Sequence, residues 1–320
     1  MSPTATVAIP TLNAGPAFAE TLRAIAGQRV DRPVELLVCD SGSIDDTVAI
    51  AREHGAQVIE IPREAFSHGA TRNLLMSQAR GEHVAFLTQD AVPADAGWLQ
   101  ALLDAFALDD DVGLAFGPYR PRSDTSPSVA REITAWFASF AADQRVARLD
   151  AAERDAPDRR FLGHLGFFTD ANGCVARAAW MKVPFRAVAY AEDHRLAVDM
   201  LRAGYAKVYV PEAAVIHAHE YTAWNWLRRA FDESRAVLEV YGWAPSGATV
   251  IRDVRGAVMA DLRAVRDEHD GRRRTTGLLL TGALTAAAHH GARGLGTLLG
   301  SRSARWPRSL VRRLSLERRA

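Results

Sequence analysis

Short apolar runs alternate with helix-length stretches of mixed polarity along the first 120 residues. Thr6–Ile9, Val34–Cys39, Gln57–Ile61, Val84–Leu87 and Val112–Gly117 are the runs, and each has the length of a buried strand. Between them, Phe18, Leu22 and Ile25 mark one helix and Asp45-Asp46-Thr47 open a second. Arg72-Asn73 open a third that ends at Gly81, and Trp98–Leu108 is a fourth. Strands alternating with helices at this spacing predict βα units on a parallel sheet. The stretch His83–Pro93 is the most informative, because its apolar run stops abruptly at Thr88-Gln89-Asp90. Pro93 then argues against further ladder pairing. A buried strand that delivers Asp90 at its carboxyl end is expected, and that end is where open parallel sheets bind ligands.

Beyond Gly117 the alternation loosens. Ala65–Thr71, earlier in the chain, and Pro118–Pro127 both read as loops, the second as the boundary of the first half. Val129–Ala147 reads as a helix with the aromatic stripe Trp136, Phe137 and Phe140, and Phe161–Arg177 as an irregular strand. Glu192-Asp193 head a helix that stops at Gly204. Strands at Lys207–Val210 and Ala214–Ile216 follow, the latter running into His217-Ala-His219, and from Thr222 the pattern is helical. Three segments result: 1–120, 121–225 and 226–320.

Composition adds three constraints. A chain of 320 residues, 48% apolar, can bury a full core. Its two cysteines, Cys39 and Cys174, have neither metal-site nor disulfide-framework spacing, which favours a reducing compartment. Residues 1–9 lack the basic start of a secretory leader, and the longest apolar stretch, Gly277–Ala288, falls well short of the ~20 residues that span a bilayer. The net charge of +1 conceals an asymmetry: residues 271–320 carry 11 Arg and only Glu317, leaving 28 basic against 37 acidic residues elsewhere. A basic helical tail on an acidic body suits contact with an anionic membrane surface. It carries no recognisable nucleic-acid-binding motif, so nucleic acid is not expected as a partner.

Several polar groups fall at strand ends. Asp40-Ser-Gly-Ser is either turn and capping chemistry or a nucleotide contact. Arg72 is either a surface cation or a partner for a diphosphate, to which its planar fork is suited. Glu192-Asp193 are either favourable charges at a helix start or a general base beside a pocket. His217 and His219, spaced i, i+2, could join Asp90 around a divalent ion, and that donor set suits Mg²⁺ or Mn²⁺ better than zinc. Neither a dinucleotide fingerprint nor a P-loop is present.

Taken in order, the strings Pro10-Thr-Leu-Asn13, Cys39-Asp-Ser-Gly-Ser-Ile-Asp-Asp46, Phe66-Ser-His-Gly-Ala-Thr-Arg-Asn73, Leu87-Thr-Gln-Asp-Ala91 and Ala191-Glu-Asp193 resemble those of family-2 inverting glycosyltransferases of the GT-A fold. Within that family, Phe66-Ser-His-Gly69, Thr88-Gln-Asp-Ala91 and His217-Ala-His-Glu-Tyr221 look most like bacterial rhamnosyltransferases. The resemblance covers roughly residues 4–230 and implies an α/β fold, a mixed, mostly parallel sheet flanked by helices, with a helical basic C-terminal region. It implies nucleotide contacts at Thr11 and Asp40, with Pro10, Asn13, Ser41 and Gln89 beside them, and a diphosphate contact at Arg72. Asp90 matches the last position of the family's metal motif, whose first Asp is Thr88 here, and His217 or His219 would complete the Mg²⁺ or Mn²⁺ site. Asp193 matches the catalytic base, with Glu192 beside it. The implied reaction moves a sugar, rhamnose from dTDP-rhamnose, to a glycan or lipid-linked glycan acceptor at the cytoplasmic face of the membrane. The resemblance divides the chain into a nucleotide-sugar-binding half (1–120), an acceptor and catalytic-base half (121–225) and a C-terminal region for membrane contact (226–320). Other readings are a UDP- or GDP-sugar donor, a glycoside hydrolase built on Asp90 and Asp193, and a non-catalytic sugar-binding protein.

Overall fold

The computed structural model describes residues 5–141, 145–155, 163–188, 190–268 and 275–317, and for 268 and 275–281 the backbone alone. The chain divides into two units, one of Met1–Ser123, Glu132–Val188 and Glu192–Ala218, the other of Asp124–Arg131, Ala189–Ala191 and His219–Ala320.

In the first unit the strands are β1 (Ala5–Thr11), β2 (Val34–Asp40), β3 (Gln57–Glu60), β4 (His83–Leu87), β5 (Val92–Pro93), β6 (Val112–Phe116), β7 (Tyr119–Arg120), β8 (Val146–Ala147), β9 (Asn172–Ala176), β10 (Ala206–Tyr209) and β11 (Val215–Ile216). Among the described residues, eight of them form one sheet in the order β3-β2-β1-β4-β9-β6-β10-β8. The pairs β3-β2, β2-β1, β1-β4 and β6-β10 are parallel; β9 runs antiparallel between β4 and β6, and β8 antiparallel to β10. Successive residues of β4 explain why this strand is central. Val84 and Phe86 point into a core with Leu75, Met76 and Leu196, whereas Ala85 and Leu87 point into another with Phe18, Leu22 and Trp98. Both faces of the sheet are therefore covered by helices, as the near-continuous apolar strands require.

Four expectations change. Pro93 does pair, in β5, an edge strand of a second sheet ordered β5-β11-β7; an edge can spare the missing N–H. Tyr119–Arg120, expected as loop, is β7 of that sheet and runs parallel to β11. The helix expected over Val129–Ala147 spans Pro127–Ala141, while Val146 and Ala147 pair with Val208 and Lys207 as β8. Ala65–Thr71 is not all loop, because Ser67 caps a helix, His68–Gln78, by accepting a hydrogen bond from the Ala70 N–H at 3.2 Å.

Behind the strand ends sits Asn172, fully buried. Its Oδ1 accepts from Trp98 Nε1 at 2.8 Å, and its Nδ2 donates to Ala213 O at 2.7 Å and Pro118 O at 3.2 Å. The Gly117 N–H donates to Asn172 O at 3.1 Å. This junction leaves no room for a side chain at Gly117, where a Cβ would lie 1.8 Å from Ala213 O. Gly117→Ala should therefore lower the unfolding free energy by about 2 kcal/mol or more, checked by urea titration; an unchanged midpoint would contradict the junction's rigidity.

The second unit is helical, with Ala223–Tyr241, Gly247–Glu268 and Thr275–Gly300 as its long elements. Thr222 caps the first, its hydroxyl accepting from the Asn225 N–H at 3.3 Å. Buried Asp261 is the second unit's polar tie, accepting from Ser128, from Arg131 Nε at 2.9 Å and pairing with His290 at 3.0 Å. Among the described residues no helix is long and apolar enough to cross a membrane. Arg272-Arg273-Arg274 of the basic tail lie outside the described residues, as does Phe161.

Candidate active site at the strand ends

The ends of β1 and β2 are in register, Thr11 opposite Asp40, and the loops that follow them are stitched together. Asp40 is buried and already accepts four hydrogen bonds, from the Gly42 and Ser43 N–H groups at 3.0 and 2.8 Å and from the hydroxyls of Thr11 and Ser43. Ser41 donates through both its N–H and its hydroxyl to Thr11 O. On the other side, the Asn13 N–H donates to Ser43 Oγ at 2.8 Å, and Asn13 Oδ1 accepts from the Ile44 N–H at 2.9 Å. Asn13 holds this pose at φ +47°, a left-handed conformation that asparagine tolerates better than most residues. Pro10, half-buried in β1 opposite Cys39, leads into this cradle. Gln89 closes it from the β4 side, its amide accepting from the Leu12 N–H at 2.9 Å and donating to Leu12 O at 3.2 Å.

Asp90 follows on the same side. Its side chain is 41% exposed, and its Oδ1 lies 3.6 Å from Nδ1 of buried His217, which leaves β11. Arg122 fixes the Asp90 backbone by donating to its carbonyl at 2.8 Å. One carboxylate oxygen and one imidazole nitrogen at this separation can share a single divalent ion, and a carboxylate–imidazole set without thiolates fits Mn²⁺ or Mg²⁺. His219, two residues further on, belongs to the second unit. The Thr88 hydroxyl, at the position where the resemblance expects an acidic ligand, is buried without a hydrogen-bond partner among the described residues.

A second polar cluster lies where the helix Glu192–Arg202 begins. Arg72 is only 4% exposed; its Nε meets Asp170 Oδ2 at 2.7 Å and its Nη1 meets Glu192 Oε1 at 2.8 Å. The residue read as a diphosphate contact is thus engaged by two carboxylates. Asp170, 1% exposed, donates its backbone N–H to Asp193 Oδ2 at 3.4 Å, and Asp193 Oδ1 accepts from the His194 N–H at 2.8 Å. Burial pushes the Asp170 carboxyl well above the usual carboxylate range; the Arg72 guanidinium opposes this, and the charges of Asp193 and Glu192 add to it. One guanidinium pairs with two carboxylates while a third stands nearby, so the most buried of the three, Asp170, is the one that resists ionisation most. The chain enters this helix through Ala191 at φ +60°, a conformation that costs a residue with a Cβ about 1–2 kcal/mol.

The Phe66-Ser-His-Gly-Ala-Thr-Arg-Asn73 string now has a structural reason. A Cβ on Gly69 would lie 2.5 Å from Arg186 O. Asn73 donates to Phe185 O at 2.9 Å and accepts from the Phe185 N–H at 3.1 Å and from Trp180 Nε1 at 2.7 Å. The string therefore anchors the segment that leads to Glu192. Tyr119 connects the two clusters: its ring packs edge-on against His217, centroids 5.0 Å apart, and its hydroxyl is hydrogen-bonded to Thr169, next to Asp170. Sequence reading missed Tyr119 and Arg122, and it gave Asp170 and Asn172 no part beyond lining a pocket on an irregular strand, although the polar run Thr169-Asp-Ala-Asn172 before an apolar strand is a signal for both.

Comparison with known proteins gives the family and the fold. The family model "Glycosyl transferase family 2" matches residues 6–167. The O-antigen chain rhamnosyltransferase RfbN of Salmonella typhimurium is 30% identical over 71% of this chain and 70% of its own length. WbaN of Salmonella anatum, described by the same activity, is 31% identical over 72% and 71%. Among solved structures, the mannosyltransferase PcManGT of Pyrobaculum calidifontis, in complex with GDP-Man and Mn²⁺, superposes with a TM-score of 0.60 at 19% identity, covering 95% of this chain and 88% of that one. Glucosyl-3-phosphoglycerate synthase of Mycobacterium tuberculosis, in complex with Mn²⁺, UDP and phosphoglyceric acid, gives a TM-score of 0.53 at 22% identity over 76% and 80%. The α/β sheet is that of the GT-A fold.

Proposed function

Because the chain belongs to glycosyltransferase family 2, we propose that it transfers rhamnose from dTDP-rhamnose to a glycan or lipid-linked glycan acceptor, with inversion at the anomeric carbon. The observation that carries the reading is the joining of two chemistries along one edge of the sheet. A carboxylate–imidazole pair, Asp90 and His217, is linked through Tyr119 and Thr169 to the acidic cluster around Asp193. The two relatives described as O-antigen chain rhamnosyltransferases support the choice of sugar.

In this reading residues 1–120 hold the donor and 121–225 bring the acceptor and the base. The cradle of Pro10, Thr11, Asn13, Asp40, Ser41 and Gln89 receives the nucleoside, with its shape preset by the hydrogen bonds that tie both loops together. Asp193 takes the proton of the acceptor hydroxyl as that oxygen attacks the anomeric carbon, and the single attack from the opposite face inverts the configuration. Glu192 fixes the start of the helix that carries it. Asp90 and His217 would hold Mg²⁺ or Mn²⁺, which when bound would supply positive charge opposite the donor's diphosphate. The acceptor reaches the site at the cytoplasmic face of a membrane, where exposed Arg302, Arg305, Arg308, Arg312 and Arg313 of region 226–320 suit an anionic surface.

The test is a calorimetric titration with dTDP, UDP and GDP, each with Mg²⁺, with Mn²⁺ and with chelator. Metal-dependent preference for dTDP, weakened at least tenfold by Asp90→Ala, is expected. Preference for UDP or GDP would keep the reaction and discard rhamnose, and binding of none would remove the transferase mechanism.

A further inference from the structure

We infer that Arg72 and Asp170 are positioning residues that fix and electrostatically tune Asp193, and that Arg72 is committed to this task instead of to the donor's diphosphate. The inference rests on Asp193 being the general base proposed above.

The burial of the pair argues for it first. Arg72 and both of its carboxylate partners, Asp170 and Glu192, are nearly inaccessible to solvent. Nη1 also reaches His68 O at 3.3 Å, one turn back on the same helix. Turning this guanidinium toward a diphosphate would strand two buried carboxylates without their counter-ion, an arrangement proteins strongly disfavour.

Connectivity is the second argument. Asp193 is held by the backbone N–H of Asp170 on one oxygen and of His194 on the other, while Arg72 pairs with Asp170 and Glu192. Asp170 stays where it is because Arg72 pairs with it, and the helix start stays because Arg72 pairs with Glu192, the neighbour of Asp193. One side chain thus clamps both supports of the base. Such an arrangement sets direction as well as charge: a guanidinium nearby favours the ionised form of a carboxyl group, and a carboxylate nearby disfavours it. The other titratable groups facing the cluster are His68, whose Nδ1 lies 3.9 Å from Glu192 Oε1, Tyr119 beyond Thr169, and His194.

Full-length Asp170→Asn and Arg72→Gln test this, with dTDP-rhamnose as donor and dTDP as the binding probe. A lipid-linked glycan is the acceptor, and the pH dependence of kcat/KM is the readout. Both variants are expected to lose 10- to 100-fold in kcat and to bind dTDP within threefold of the wild type. The decisive result is a pair of opposite shifts: the acid limb of kcat/KM moves to lower pH in Asp170→Asn and to higher pH in Arg72→Gln. A merely structural role would lower activity without moving the limb. Should Arg72→Gln fail to fold, the double variant Arg72→Gln/Asp170→Asn, which removes both charges of the buried pair, reports the dTDP affinity instead. Loss of dTDP binding by tenfold or more in either variant containing Arg72→Gln, or acid limbs that stay in place, would overturn the inference. Asp193→Asn run alongside separates the two levels: if it turns over like the wild type, the base reading itself has failed, and if it is inactive while the limbs stay put, only the positioning roles have.

Discussion

Replacing Asp193 by Asn is expected to lower kcat about a thousandfold, the usual scale for removing a general base, while dTDP binds as before. Asn keeps the shape of the side chain and an oxygen that can accept from the Asp170 and His194 N–H groups, so the helix start should remain in place. What it lacks is the ability to take a proton from the acceptor. The expected signature is therefore a fall in kcat with little change in donor KM, because the cradle proposed for the donor is built at the ends of β1 and β2 and Asp193 sits at the start of the helix Glu192–Arg202. Measuring acceptor-dependent dTDP release alongside dTDP affinity checks both halves at once. Turnover within tenfold of the wild type would mean that another group removes the proton.

Lys207 sets the second large effect. It is 3% exposed, donates to the carbonyl oxygens of Leu165 and Phe167, and lies over the rings of Phe116 and Phe140 at 5.0 and 5.8 Å from their centroids. Burial pulls its ammonium group down to about 7 from the ordinary 10.5. The unfolded chain then binds this proton more readily than the folded one. The cost of burying the charge is fully present below about pH 7 and disappears as pH rises towards 10.5, so stability increases over that window. At about 1.4 kcal/mol per pH unit for one proton, the gain between pH 7 and 9.5 is on the order of 3 kcal/mol. Lys207→Met keeps the aliphatic length and abolishes the titration. Urea melts at the two pH values should show the wild type rising by that amount relative to the variant, and parallel behaviour of the two proteins would refute the burial argument.

The parallel half of the sheet was legible because its strands are buried on both faces. Val34–Cys39 and Val84–Leu87 could hardly be anything else, and the polar residues that end them were correctly read as strand ends. The helix headed by Glu192-Asp193 was visible for the same local reasons, charge at its start and apolar spacing along it. Pairing was harder. Val146–Ala147 forms a strand only because β10 offers it an edge, and nothing in two small apolar residues announces that. Pro93 was misjudged because the rule against proline in sheets weakens at an edge, and edges are a property of the assembled sheet. The role of Arg72 was hidden more deeply. Its partners stand 98 and 120 positions away along the chain, and singly each of the three charges looks like an ordinary surface residue. Only burial reveals that they need one another.

The reversed strand β9 carries a consequence for how such a chain can change over time. The Gly117 N–H donates to Asn172 O, so the polypeptide leaves the sheet after β6 and returns to it before β9 across a single hydrogen bond. Everything from Pro118 to Ala171 is a closed excursion whose two ends are already fixed beside each other. The entropy of closing such a loop grows only slowly with its length, about 0.6 kcal/mol for each doubling. Insertions and deletions in its connecting turns, outside β7, β8 and the helix Pro127–Ala141, therefore leave the pairing of β6 with β9 untouched and cost little stability. Descendants of one ancestral sheet can then diversify those turns while inheriting the ends of β1, β2 and β4 intact.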